Sequence, residues 1–103
     1  MTSEQAVIEL AALLSRAIAL LEAHGETSWA TWLRADRERI VHGEAARLGH
    51  LLSAFGGMGS LNDVVFSPAN GNAADERSGV ADTEQLRELL NELYVTARDL
   101  NRR

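Results

Sequence analysis

The residues best suited to acid–base or metal chemistry are His24, His42 and His50, since imidazole changes charge near neutral pH and ligates metals. Glu38 and His42 stand four apart, so on a helix they share a face and offer two donors. A metal centre needs at least three protein ligands. Only folding brings in Asp36 or His50 as the third, and ordinary surface or cap histidines are the plainer expectation. No cysteine occurs, which excludes disulfides, thiolate zinc sites and a cysteine nucleophile. Ser15, Ser28 and Ser53 lie in helical contexts without a nucleophile-elbow pattern. Every cation is an arginine, so Schiff-base and phosphate-loop lysine chemistry are excluded as well. These residues predict no catalytic group, no metal and no cofactor.

The most distinctive stretch runs Phe55-Gly56-Gly57-Met58-Gly59-Ser60-Leu61-Asn62-Asp63-Val64-Val65-Phe66. Successive backbone amides there invite an anion-nest reading. The spacing matches neither a phosphate loop nor a dinucleotide fingerprint, no strand precedes it, and Asp63 would repel an anion. The stretch is read as a structural turn of Gly56, Gly57, Gly59, Ser60, Asn62 and Asp63. Its glycines permit positive φ; Ser60 with Asp63 resembles a capping box, and Asn62 and Asp63 satisfy loop amides.

Charge directs attention elsewhere. The 15 acids outweigh the ten arginines to give a net charge of −5 and a pI near 5.1, which argues against general nucleic-acid binding. Glu84, Glu88 and Glu92 recur every fourth residue and so line one exposed helix face. By default that face is solvated surface; its sharper reading is a docking site for a basic partner.

Helices must position these groups. Alanine and leucine dominate the apolar residues, which favours helix over strand. Between Ser3 and His24, Val7, Leu10, Leu14, Ile18 and Leu21 form a helical stripe, widened by Ile8, Leu13 and Leu20. Thr2 with Gln5, or Ser3, caps its start, and Gly25 stops it. A second helix covers Trp29 to about Val41, opened by Thr27 or Ser28. Its stripe of Trp29, Trp32, Leu33 and Ile40 contains one carboxylate, Asp36, which if buried needs a partner such as Arg47. Both tryptophans are read as core filling between helices. Leu48, Leu51, Leu52 and Phe55 define a third stripe, where Gly49 permits a close helix crossing. Residues 61–72 admit a short strand pair or a helical turn; Asn70-Gly71 is a hairpin signal without a matching return strand. Residues 67–81 read as an exposed loop. A final helix begins at Asp82 and Thr83 and buries Leu86, Leu89, Leu90, Leu93, Ala97 and Leu100.

The predicted fold is therefore all-α, a four-helix-like single domain over 1–103 with a glycine-rich turn and one irregular connection. Met1 to Gln5 lacks the positive segment of a signal peptide, and Leu10 to Ser15 is too short to span a bilayer. A cytoplasmic location without membrane contact follows as the expectation.

The run Gly56 to Asp63 followed by Val64-Val65 resembles the signature of a family of small bacterial proteins of unknown function. That resemblance covers about the middle third of the chain and implies bacterial origin and fold kinship, not a mechanism. Small proteins of this kind are sometimes immunity partners of secreted toxins. The leading expectation is a non-enzymatic protein-binding module, most concretely an immunity or antitoxin-like protein that occludes a basic toxin surface. The alternatives are a small-ligand or metal-assisted enzyme using Glu38, His42 and the glycine turn, and a homodimeric structural module.

Overall fold

The computed structural model describes residues 2–56 and 59–103, and Gly57 of the expected turn lies outside them. Four helices account for most of these residues: α1 (Ser3–Ala23), α2 (Thr27–Val41), α3 (Ala46–Leu52) and α4 (Glu76–Asn101). The all-α expectation holds, with no strand among the described residues. Thr2 caps α1 reciprocally with Gln5, the Gln5 amide donating to Thr2 Oγ1 while the Gln5 side chain accepts from the Thr2 amide. Two otherwise unpaired backbone donors are satisfied in this way. Gly25 at φ 74° then reverses the chain into α2.

Helix α1 lies between α2 and α4, while α3 packs against both α2 and α4. The wide stripe read from the α1 sequence follows from this central position, with Leu10, Leu13, Leu14, Ala17, Ile18 and Leu21 all buried. Ile8 departs from that expectation and stays 65% exposed. Every apolar position expected on the last helix, from Leu86 to Leu100, is buried.

Two further expectations are corrected. Residues 61–72 form neither a strand pair nor a hairpin: Leu61–Asp63 and Pro68–Asn70 are single 3-10 turns. Gly71 takes the left-handed conformation, φ 74°, but closes the second 3-10 turn. The last helix begins at Glu76, six residues before Asp82, so only the first part of 67–81 is loop. Asp75 accounts for the early start, because its carboxylate accepts from the Ser78 amide at 2.8 Å and caps the first turn.

The connection before α4 is tied down by its own polar side chains. Asn72 Oδ1 accepts from the Ser67 amide at 2.8 Å, and its Nδ2 donates to Glu26 Oε1 and to the Val65 carbonyl. The Phe66 amide donates to Thr83 Oγ1 at 2.9 Å, and the Thr83 hydroxyl donates to the Gly79 carbonyl at 2.7 Å. Phe66 itself is buried against α4 at Gly79, where the backbones approach closely. Gly49, by contrast, faces open space and makes no close crossing.

Candidate functional site

The acidic stripe is fully presented. Glu84, Glu88 and Glu92 are exposed along α4, and none has an ion pair or hydrogen bond among the described residues. Burial of Leu86, Leu89, Leu90 and Leu93 on the opposite face holds the three carboxylates outward. Arg87 and Arg98 interrupt the acidic character of α4, but neither forms an ion pair with these carboxylates among the described residues.

The glycine turn is closed by side chains that follow it. The Gly56 amide donates to Asn62 Oδ1 at 3.1 Å and the Gly59 amide to Asp63 Oδ2 at 2.8 Å. Gly56 and Gly59 both have positive φ, 83° and 78°. The Ser60 hydroxyl also donates to Asn62 Oδ1. These two backbone amides are engaged within the turn, so they are not available to a bound phosphate.

Beside this turn lies a cleft of about 410 Å³, walled by α3 and α4. Leu52, Phe55 and Leu90 supply its apolar surface, and Asn62, Arg87, Asn91 and Tyr94 its polar groups. Neither His42 nor Asp63 lines it. His42 Nδ1 lies 2.7 Å from the Glu38 carbonyl, one turn back on its own helix. The helix spacing therefore brings His42 to the Glu38 backbone. Among the described residues no group of three His, Asp or Glu side chains is arranged to hold a metal ion.

The second polar cluster surrounds Asp36, which is 0% exposed within the apolar stripe of α2. Arg47, the partner suggested by sequence, approaches to 3.6 Å. His50 lies closer: its Nδ1 is 2.9 and 2.8 Å from the two Asp36 oxygens. Its ring stacks on Trp32, with centroids 4.4 Å apart. Trp29 meets Trp32 edge-on at 5.7 Å. A buried carboxylate needs such partners, because desolvation without them costs several kcal/mol. The cluster thus fastens α3 to α2.

His24 forms a third cluster that sequence reading missed. Its Nδ1 donates to the Asn72 carbonyl at 2.6 Å, Nε2 lies 2.7 Å from Asp82 Oδ2, and the ring stacks on Phe66 at 3.9 Å. One side chain therefore joins the end of α1, the irregular connection and α4. Each partner is at least 42 residues away in sequence, so no local pattern announces it.

No described helix is long and apolar enough to cross a membrane. No curated protein and no solved structure matches the chain. A family model described as a domain of unknown function (DUF6966) matches residues 22–75, which include the His24, Asp36 and glycine-turn clusters except for Asp82. That segment is more than half of the 103 residues, and the chain belongs to the DUF6966 family.

Proposed function

We propose that the protein is a non-enzymatic protein-binding module, most concretely a bacterial, cytoplasmic immunity or antitoxin-like protein that occludes a basic toxin surface. The carrying observation is the acidic stripe of α4. Glu84, Glu88 and Glu92 are exposed at four-residue steps, with no partner among the described residues. Like charges at that spacing repel by a few tenths of a kcal/mol per pair, a cost that a basic partner would relieve. Proteins that act on nucleic acid hold phosphate with cationic surfaces. An acidic helix can compete for such a surface and steer association.

A pull-down with mass spectrometry, followed by binding measurements on the recovered partner, tests this. Glu88→Arg with Glu92→Arg should leave melting nearly unchanged, since exposed charges contribute little to stability. It should weaken binding and flatten its dependence on salt. Equal affinity of the charge-reversed protein at low salt would refute the proposal. Recovery of this chain alone would favour a homodimer through the apolar groove between Ile8, 65% exposed, and Val41, 54% exposed.

A further inference from the structure

We infer that the cleft between α3, the glycine turn and α4 binds a monoanionic carboxylate carried on an apolar group. The polar groups around it are mainly donors. The Arg87 guanidinium has no ion pair or hydrogen bond among the described residues, and of the arginines in that condition, Arg16, Arg77, Arg87 and Arg102, it is the one that lines the cleft. Asn62 spends its Oδ1 on the Gly56 amide and the Ser60 hydroxyl, which leaves its amide NH2 to donate outward. The Asn91 amide and the Tyr94 hydroxyl likewise have no partner among the described residues. Although the chain carries 15 acids, none of the described ones lines this cleft.

Such a set of donors around one cation fits an anion. A guanidinium fork pairs two donors with a carboxylate in matching geometry. A single guanidinium balances a single negative charge, so in a chain of net charge −5 a dianionic phosphate fits less well. The remaining surface is apolar: Leu52, Leu90 and Phe55, the last held edge-on by the Tyr94 ring at 5.2 Å. That surface calls for a phenyl or branched aliphatic group beside the carboxylate. At about 410 Å³ the cleft is in the size range of small-molecule sites. The same chemistry occurs in a free organic acid and in the C-terminus of a peptide ending in an apolar residue.

Titration of the ¹⁵N-labelled protein with 3-phenylpropionate, followed by amide chemical shifts, tests the inference. The expected result is saturable shifts at Gly56, Asn62, Arg87 and Asn91 with a roughly millimolar Kd. The neutral isostere 3-phenylpropan-1-ol should bind about tenfold more weakly, and Arg87→Gln should lose a similar factor for the acid, because a charge-assisted hydrogen bond is removed in each case. Asn91→Ala, on the exposed helix surface, should lose less and serves as a second variant. Two peptides, acetyl-Ala-Phe as the acid and as the amide, identify the source. Tighter binding of the peptide acid than of phenylpropionate assigns the site to a chain terminus, and the reverse order assigns it to a free acid. Equal binding of acid and alcohol, full affinity in Arg87→Gln, or no shifts in the cleft would overturn the inference. None of these outcomes depends on the acidic stripe, so Glu88→Arg with Glu92→Arg should still bind phenylpropionate.

Discussion

Gly79→Ala should destabilise the protein even though alanine is the better helix former. Inside α4, propensity alone favours alanine by about 1 kcal/mol. A Cβ at Gly79, however, would lie far inside contact distance of the Phe66 carbonyl oxygen, 3.1 Å from the Phe66 carbonyl carbon and 3.3 Å from Ala73 Cβ. Backbone cannot swing away as a flexible side chain can. Phe66 is also held from three sides: its amide by Thr83, its ring by His24, and its side chain by the core. Relief therefore requires the connection to lift from α4. Overpacking of this kind costs about 1–3 kcal/mol, and weakening the Phe66–Thr83 hydrogen bond adds about 1 kcal/mol. Set against the propensity gain, the net loss is about 2 kcal/mol, or a melting temperature lower by roughly 8–16 °C. Gly49→Ala is the control, because it sits in α3 with nothing within 4 Å of its added Cβ. It should raise stability by about 0.5–1 kcal/mol. Thermal and urea unfolding followed by far-ultraviolet circular dichroism would measure both. If Gly79→Ala melts at or above the parent while Gly49→Ala behaves as expected, the close approach of Phe66 to α4 is refuted.

Two other outcomes follow from the same contacts. His50→Ala leaves Asp36 buried with only Arg47 at 3.6 Å and should cost about 3 kcal/mol; in a double-mutant cycle with Asp36→Ala by urea unfolding, the two losses should fall short of additive by at least about 1 kcal/mol, and strict additivity would remove the bond from the account of stability. Gly59→Ala meets no neighbour, but φ is 78° there, so backbone strain alone should lower stability by about 1 kcal/mol, and an unchanged melting curve would contradict that conformation.

The long helices were legible because their signals are local and repeated. The apolar steps of α1 and α4 mark a buried face whatever packs against it, and Thr2 with Gln5 announces the start of α1 within four residues. Composition alone, rich in Ala and Leu with no Cys, pointed to helix and away from thiol chemistry. The sequence likewise marked Asp36 as an anomaly in an apolar stripe. Tertiary structure decided how that anomaly is resolved, because His50 reaches Asp36 from a different helix 14 residues on. It also decided where α4 begins: the polar run from Glu76 to Val80 has little helical periodicity, and its helix is sustained by the Asp75 cap and by Phe66 lying across Gly79. His24 reaches Asn72 and Asp82 across 48 and 58 residues, and the cleft at Arg87 exists only where α3 and the glycine turn meet α4. A pattern in one segment records which face it buries; the partner on the other side of that face is set by how the segments pack.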